Sequence, residues 1–400
     1  MKKVLILTGR FGMGHVSAAK SLEEQILGEY PQVSVEVVDL LEYTAPRLAG
    51  AIYKTFGFLA KHGRSLYNFI YKQAGKRDER EWSAFTALSM RRLTELMEDK
   101  KPQVVVSTLP LCSLLTSKYK ERRDKDLTLV TCITDISSHG EWIQANTDYY
   151  LVGGDLVKRQ LMAKGVEEDS VIVTGIPVRR AFSENVAEAA AKPMRLLGRQ
   201  AAEGCGIIQA AAESDGAHQG EQSTDEVKRE KRLLIMGGGL GLLPVTPEFY
   251  QELSGIPGVR ITVITGKNQK LYKMLKGRFE NVEAIPFTDR VDLYMKRADV
   301  ILTKPGGITL FETIFSGKPI LMFAPFLQQE VNNMHFALYH HIGRVLPKKQ
   351  AAWAEEIKRL MLDDCAIRQM TCRVRQLREN YNRDGLRLIF GSPDTTVFAS

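Results

Sequence analysis

The 400-residue chain is predicted to be an α/β protein made of two units, each built on a parallel β-sheet. Three observations support this fold class. Short runs of β-branched residues alternate with helical patterns, this alternation occurs twice, and a polar stretch separates the two series. Apolar residues make up 44% and charged residues 26% of the chain, so both units can bury a core. The longest apolar runs are far shorter than the roughly 18 residues that would span a bilayer.

The first unit contains six predicted strands with helical stretches, such as residues 17–27, between several of them. The strands are residues 3–8, 33–38, 104–108, 127–133, 149–152 and 171–174. The first run follows a basic start, but it meets glycine too soon to be the apolar region of a secretion signal. We therefore expect it to be the first strand of a cytoplasmic protein.

The second unit repeats this pattern after a polar stretch rich in Ala, Gly, Glu, Gln and Lys. Its predicted strands are residues 233–236, 261–265, 282–285, 300–303 and 320–323. The predicted domains are an N-terminal unit of residues 1–182, a partly disordered linker or insertion of residues 183–231, a second unit of residues 232–370, and a C-terminal helix and tail of residues 371–400. Two such sheets in tandem imply a ligand-binding cleft between them.

The first strand leads into a glycine-rich loop, which ends at His15 and opens a predicted helix. Gly12 and Gly14 allow a sharp turn and a close approach to a ligand, while the free amides of the helix start attract an anion or a polarised oxygen. His15 is suited to take a proton from a hydroxyl nucleophile, although a capping or packing role is more typical of a single histidine. The loop, with Asp39 after the second strand, also suggests a dinucleotide site, but its spacing is GxxGxGH rather than GxGxxG.

The most specific motif is Lys304-Pro-Gly-Gly-Ile-Thr-Leu-Phe-Glu312, which follows a predicted strand. Amides around Gly306 and Gly307, with the Thr309 hydroxyl, are suited to hold a diphosphate, and Glu312 one turn later is suited to accept the hydroxyls of a ribose. The alternative is a capping box formed by Thr309 and Glu312, which have the required TxxE spacing.

Two further loops contain candidate ligand-binding groups. Gln329, Glu330 and Asn333 follow a buried strand and are suited to hydrogen-bond sugar hydroxyls, although they are also typical of a polar helix start. Gly238 and Gly239, after the first strand of the second unit, are candidates for a phosphate-facing loop.

The net charge of +8 favours an anionic partner, and most of the surplus lies in residues 47–80, which contain eight basic and two acidic residues. Aromatic and basic residues alternate there, as in an interfacial membrane segment. The candidate membrane-facing residues are Tyr53, Phe56, Lys61, Arg64, Tyr67, Phe69 and Lys72. The alternatives are a helix packed on its own domain and, less favoured because no nucleic-acid module accompanies the segment, single-stranded nucleic acid. The five cysteines include no CxxC pair and indicate neither a zinc site nor a disulfide framework.

Together these motifs resemble those of glycosyltransferases that make glycosyldiacylglycerols, namely monogalactosyldiacylglycerol synthases and processive diacylglycerol glucosyltransferases. The peptidoglycan lipid-linked N-acetylglucosaminyltransferase is more distantly similar. Further matching pieces are Thr134-Asp135 with His139 and Trp142, and the TGIPV run at residues 174–178. The resemblance implies the GT-B fold, in which two Rossmann-like domains face each other across a cleft.

The resemblance also implies an activity: inverting transfer of a hexose from UDP-glucose or UDP-galactose to diacylglycerol, at the inner face of the cell membrane and with no metal or other cofactor. In this interpretation the first unit binds the acceptor and the membrane, with His15 as the general base and Gly12, Gly14, Asp135, His139 and Trp142 along the acceptor side of the cleft. The second unit binds the donor: Gly306, Gly307 and Thr309 contact the diphosphate, Glu312 the ribose, and Gln329, Glu330 and Asn333 the sugar. Leu327 and Gln328 stand where many relatives have Pro-Gly, so the identity of the sugar stays open.

Four other functions remain open from the sequence alone. The same fold also suits a transferase acting on a polyprenyl-linked or soluble acceptor, or a UDP-sugar epimerase. An NAD-dependent oxidoreductase using the first glycine loop and a non-catalytic lipid-binding protein belong to different classes. The number of sugars added, the oligomeric state and the purpose of residues 183–231 are also left open.

Overall fold

The computed structural model describes residues 2–62, 84–183, 230–238, 241, 243–244, 246–325, 328–382 and 385–391. These residues form two six-stranded sheets, and every strand pair in both sheets is parallel. Parallel pairing requires a crossover between successive strands, and in most cases here an α-helix provides it. The connection from residue 132 to residue 149 instead contains only the 3₁₀ turn Gly140–Trp142. The prediction of two α/β units is therefore confirmed.

The first sheet has the order β2-β1-β3-β4-β5-β6. Its strands are β1 (Lys3–Thr8), β2 (Ser34–Asp39), β3 (Val104–Ser107), β4 (Thr128–Cys132), β5 (Tyr149–Val152) and β6 (Val171–Val173). The helices of this part are α1 (Met13–Glu29), α2 (Leu40–Thr44), α3 (Pro46–His62), α4 (Ala84–Lys100), α5 (Pro110–Arg123) and α6 (Asp155–Met162). The chain leaves β1 towards β2 on one side and later returns to β3 on the other, so the carboxyl ends of β1 and β3 flank a topological switch point.

The second sheet has the order β12-β11-β10-β7-β8-β9. Its strands are β7 (Lys231–Met236), β8 (Val259–Gly266), β9 (Val282–Pro286), β10 (Val300–Thr303), β11 (Ile320–Met322) and β12 (Gly343–Val345). The helices are α7 (Pro247–Ser254), α8 (Gln269–Leu275), α9 (Val291–Arg297), α10 (Gly307–Phe315), α11 (Gln328–Tyr339), α12 (Trp353–Leu362), α13 (Asp364–Glu379) and α14 (Arg387–Phe390). The switch point here lies between β7 and β10, which is where the KPGG motif begins.

One hydrophobic cluster spans both domains, and helix α10 lies at its centre. Phe311 of this helix contacts Phe336 and Tyr381, with ring centroids 6.0 and 5.6 Å apart. Its ring also fits against two glycines of the N-terminal domain, because a β-carbon at Gly153 or Gly175 would lie 3.3 or 3.1 Å from it. Helix α10 is thus a shared element that holds its own amino end against the first domain.

The end of the described chain returns to the N-terminal domain. Leu386 and Ile389 join the core around β1, and Phe390 packs on Tyr30 with centroids 5.2 Å apart. The predicted domain boundary at residues 370/371 falls inside α13, which runs unbroken from Asp364 to Glu379. The predicted linker of residues 183–231 lies outside the described residues apart from its first and last positions.

Candidate active site

The amino end of α1 brings His15 to the switch point of the first sheet. Gly12 precedes the helix with φ 99°, a left-handed conformation that favours glycine, and this turn directs the chain back over the carboxyl ends of the strands. The Nδ1 atom of His15 lies 2.7 Å from the backbone oxygen of Thr108, just beyond β3. The Thr134 hydroxyl lies 2.9 Å from the same nitrogen. Because a carbonyl oxygen can only accept, Nδ1 carries the proton and Nε2 keeps its lone pair.

Burial lowers the pKa of His15 to about 4, and the hydrogen bond to Thr108 opposes this only in part. Desolvation disfavours the imidazolium ion, as does the positive end of the α1 dipole. His15 is therefore neutral at pH 7, in the tautomer in which Nε2 can accept a proton from a hydroxyl group.

The segment after β4 forms the wall between His15 and the second domain. Asp135 follows the threonine that contacts His15, and its Oδ1 atom is buried without a hydrogen-bond partner among the described residues. Burial raises the Asp135 pKa to about 6, against a hydrogen bond from Ser137. Trp142 is buried with its ring 6.3 Å from the His15 ring, whereas His139 faces a separate cavity between the domains. Asp135 and Trp142 are thus near His15 or its partner Thr134, whereas His139 points away.

The two glycine-containing loops meet across the domain boundary. A β-carbon on Gly307 would lie 2.6 Å from the Thr134 backbone oxygen, so only glycine allows this approach. A β-carbon on Gly14 would lie 3.7 Å from Ile308. The amino ends of α1 and α10 therefore face the same space, and the first amides of each helix have no partner within their own helix. Such a pair of helix starts is suited to an anionic or polarised ligand.

Helix α10 begins at Gly307 with Gly306 as its N-cap, and no side chain caps it. Thr309 and Glu312 are already inside the helix, so the alternative that they form a capping box is wrong. Burial raises the pKa of Glu312 to about 7, with Arg179 lowering it and Asp292 raising it. A carboxylate in such a place is suited to accept two hydroxyl groups.

Asn333 does not lie as the sugar-binding prediction required. Its side chain is 1% exposed. Its Oδ1 accepts from the Ile136 amide at 3.1 Å and its Nδ2 donates to the Pro305 oxygen at 2.9 Å. The residue therefore joins the two domains beside the KPGG loop. Gln329 and Glu330, in the first turn of the same helix, are partly exposed and stay candidates for the sugar.

The remaining candidates are the glycines after β7 and the acidic residue at the end of β2. Gly238 follows β7 with φ 69°, next to the KPGG loop on β10, while Gly239 lies outside the described residues.

Asp39, the acid of the dinucleotide alternative, accepts hydrogen bonds from the Tyr53 hydroxyl at 2.6 Å, the Glu42 amide at 3.0 Å and Arg10 at 3.3 Å. With these three donors bound, its carboxylate is occupied, so the structure gives no support to a ribose role.

Tyr53 and Phe56 face inward, contrary to the prediction that they contact a membrane. Both pack on Phe11 of the loop before His15, with ring centroids 5.1 and 5.2 Å away. The opposite face of α3 is exposed and carries Leu48, 58% exposed, and Lys54. The two aromatic residues therefore pack as the alternative prediction requires, in which the helix packs on its own domain. The remaining predicted membrane-facing groups lie outside the described residues. These are the side chain of Lys61 and the whole of Arg64, Tyr67, Phe69 and Lys72.

The sequence reasoning missed several residues at this site. Thr108 acts through its backbone, which no side-chain pattern reveals, and in the sequence Thr134 stands out only as part of the Thr134-Asp135 motif. Phe287 follows β9, whose carboxyl end lies at the same edge of the second sheet as that of β10, and is 53% exposed. An exposed aromatic there is suited to stack on a nucleobase, and its position after a predicted strand was the available signal.

No helix in the described ranges is both long and apolar enough to cross a membrane. Within the same ranges, no group of three or more His, Cys, Asp or Glu side chains is placed to hold a metal ion.

Comparison with protein families matches both halves of the chain. Residues 15–178 match the monogalactosyldiacylglycerol (MGDG) synthase family, and residues 233–378 match the glycosyltransferase family 28 C-terminal domain. The processive diacylglycerol beta-glucosyltransferase of Bacillus licheniformis is 26% identical over 387 residues, covering 94% of this chain and 91% of the relative. The protein of that name from Bacillus subtilis is 26% identical over 381 residues, with the same coverage. The resemblance predicted from the motifs is confirmed.

Solved structures share the two-domain fold. Acinetobacter baumannii MurG superposes with a TM-score of 0.60 at 10% identity, covering 97% of this chain and 98% of its own. S. aureus MnaA with UDP superposes with a TM-score of 0.56 at 14% identity, covering 97% of this chain and 95% of its own. The UDP-GlcNAc 2-epimerase of Neisseria meningitidis superposes with a TM-score of 0.54 at 15% identity, covering 97% of this chain and 98% of its own. The fold is GT-B, as predicted, and at these identities the likeness concerns the fold alone.

Proposed function

Because the chain combines a monogalactosyldiacylglycerol synthase domain with a glycosyltransferase family 28 C-terminal domain, we propose that it transfers a hexose from a UDP-sugar to diacylglycerol. The observation that carries the proposal is the close approach of Gly307 in the KPGG loop to Thr134, the residue whose hydroxyl contacts His15. The chain is similar over nearly its whole length to diacylglycerol glucosyltransferases. The names of these relatives favour UDP-glucose over UDP-galactose as the donor.

In the proposed reaction, Nε2 of neutral His15 accepts the proton of the diacylglycerol hydroxyl as its oxygen attacks the anomeric carbon. The bond from that carbon to the diphosphate breaks, and the electron pair leaves with UDP. A single displacement of this kind inverts the anomeric configuration. The amide-rich start of α10, with Gly306, Gly307 and Thr309, stabilises the charge on the departing diphosphate. This chemistry needs neither a carboxylate pair nor a metal ion.

The second domain binds the donor in this proposal. Glu312 accepts the ribose hydroxyls, Gln329 and Glu330 bind the hexose, and Lys304 and Gly238 lie near the phosphates. Asn333 acts indirectly, because it positions Pro305 and the loop that follows.

The acceptor is a membrane lipid, so we propose peripheral binding at the inner face of the membrane. The outer face of α3, with Arg47, Leu48 and Lys54, supports this part of the proposal because it combines basic and apolar exposed groups. Residues 63–83 follow in the sequence and contain the predicted membrane-facing residues Arg64, Tyr67, Phe69 and Lys72.

The test is transfer from labelled UDP-glucose or UDP-galactose to diacylglycerol in anionic vesicles, with an arm that contains no acceptor. We expect His15→Ala to lower turnover by about 10²–10⁴-fold while UDP affinity stays within twofold. The matched control is His341→Asn, since His341 is exposed with φ 53° and asparagine tolerates that conformation. Normal turnover by the His15 variant would remove the proposed base. Conversion of the UDP-sugar without acceptor would instead indicate an epimerase.

A further inference from the structure

The ring nitrogen of His15 that carries the proton lies between two oxygens from neighbouring strand ends. Nδ1 is 2.7 Å from the Thr108 backbone oxygen and 2.9 Å from the Thr134 hydroxyl. Thr108 directly follows β3 and Thr134 comes two residues after β4, and these strands pair side by side in the first sheet. The orientation of the ring is therefore set from outside the helix that carries it.

Both partners of this nitrogen are uncharged. In many sites that use histidine as a base, a carboxylate accepts the hydrogen bond from Nδ1, orients the ring and stabilises the imidazolium ion. Among the described residues, none of the hydrogen bonds or ion pairs of His15 involves Asp or Glu. The carbonyl of Thr108 and the hydroxyl of Thr134 therefore take the place of the orienting carboxylate.

The contact at Nδ1 matters most in the transition state of the proposed reaction. When Nε2 accepts the proton of the acceptor hydroxyl, the His15 ring becomes positively charged, and burial disfavours that charge. A hydrogen bond to a charged group is stronger than one between neutral groups. An oxygen that accepts from Nδ1 therefore stabilises the transition state more than the ground state.

Of the two partners, only Thr134 contributes a side chain. Thr134 is 6% exposed, so bulk water has little access to the space that its hydroxyl fills. Valine has nearly the same shape but cannot accept a hydrogen bond. An exchange for valine therefore removes this contact and leaves that of the Thr108 backbone in place.

The backbone of the same residue touches the second domain. A β-carbon on Gly307, the first residue of α10, would lie 2.6 Å from the Thr134 backbone oxygen. Two residues after Thr134, the Ile136 amide donates to the Asn333 Oδ1 atom at 3.1 Å. The segment of residues 134–136 thus contacts the second domain at both ends. Because one end also carries the hydroxyl that contacts the proposed base, the distance from the base to the start of α10 depends on this segment.

We propose that Thr134 is a positioning residue of the transfer reaction. Its hydroxyl holds the His15 ring with Nε2 towards the acceptor hydroxyl, and its backbone fixes the distance between that ring and the diphosphate-binding loop. The inference rests on the proposed function and adds a residue to it. Thr134 neither gains nor loses a proton in the reaction, and it acts only through His15.

The test is steady-state transfer to diacylglycerol in anionic vesicles, from the UDP-sugar that the wild-type chain uses, by Thr134→Val and Thr134→Ser. We expect Thr134→Val to lower kcat about 10–100-fold, as the loss of one hydrogen bond to a charged group would cause, with the donor KM and UDP affinity within twofold. Thr134→Ser keeps the hydroxyl group and should restore most of the wild-type kcat. If Thr134→Val does not fold, Thr134→Ala replaces it, because alanine also lacks the hydroxyl group.

The matched control is Thr131→Val on β4. Thr131 is fully buried, and its hydroxyl lies against those of Ser113 and Thr147, at 3.0 and 3.5 Å, rather than against His15. The control should lower the Tm about as much as Thr134→Val does and leave kcat within twofold of wild type. Thermal unfolding of each variant shows which losses of activity come from stability alone.

Several results would overturn the inference while leaving the proposed function intact. These are a kcat within twofold of wild type for Thr134→Val, an equal loss of kcat for Thr131→Val, and a loss that Thr134→Ser does not restore. A raised donor KM with unchanged kcat would place the hydroxyl in the donor site and would also overturn it. Absence of transfer to diacylglycerol by the wild-type chain would instead contradict the proposed function itself, and the inference would fall with it.

Discussion

Replacement of Asn333 by alanine distinguishes two roles for this residue. The sequence predicts that it binds the sugar, whereas the structure shows that it joins the two domains. The amide accepts from the Ile136 N–H of one domain and donates to the Pro305 carbonyl of the other, and these partners are 197 and 28 residues away along the chain. A methyl group replaces neither bond. The exchange should therefore weaken the junction between the domains rather than remove a contact to the sugar.

The size of the effect follows from burial. Asn333 is 1% exposed, and a buried backbone group that loses its partner costs about 1–3 kcal/mol. Two such groups predict a loss of about 2–6 kcal/mol if water does not enter. For domains of this size, a fall in Tm of roughly 4 °C or more is expected. Asn333→Asp keeps the acceptor for Ile136 but sets a second oxygen against the Pro305 oxygen, so it should also destabilise.

The assay is thermal unfolding of the whole chain, combined with steady-state kinetics at varied UDP-sugar concentration. The matched control is Asn332→Ala on the same helix, because the Asn332 side chain makes no hydrogen bond within the described part of the chain. A Tm within 1 °C of wild type for Asn333→Ala, together with a raised KM for the donor, would refute the structural reasoning and restore the sugar-binding role.

Two further predictions concern the donor and the loop that carries His15. Since burial raises the pKa of Glu312 to about 7 and only the ionised carboxylate accepts two hydroxyls, affinity for UDP-glucose should rise as the pH rises through 7, by up to about tenfold between pH 6 and 8. Calorimetric titration of wild type and Glu312→Gln checks this, and an equal pH dependence in the variant would contradict it. Because Phe56 packs on Phe11 at 5.2 Å, Phe56→Ala should lower kcat about tenfold with UDP affinity unchanged, whereas the outward Leu48→Ala should weaken only vesicle binding. A loss of vesicle binding by Phe56→Ala with normal kcat on bound vesicles would show that the ring contacts lipid after all.

The strands were predictable because most of them are buried runs of β-branched and aliphatic residues. Strands β1, β5 and β10 begin and end where the sequence predicts. Strand β12 was missed, since Gly343–Val345 contains a glycine and an arginine and is a strand only through its pairing with β11. A short edge strand of this kind has no pattern of its own along the sequence.

Helix faces were harder to predict than helices. The alternation of aromatic and basic residues around α3 is compatible with either orientation of Tyr53 and Phe56. Their inward orientation depends on Phe11, which lies more than 40 positions earlier in the chain. Likewise, the TxxE spacing at Thr309 is compatible with a capping box, and only the start of α10 at Gly307 excludes it.

By itself, the sequence determined the two parallel sheets, the glycine loops at their carboxyl ends and the family to which these motifs belong, because each depends on residues that are neighbours along the chain. The tertiary structure alone decided how the groups combine. The tautomer of His15 depends on Thr108, 93 residues away, and the role of Asn333 depends on Ile136 in the other domain. Desolvation moves the pKa of His15 and Glu312 in opposite directions, and it arises only from burial in the folded chain.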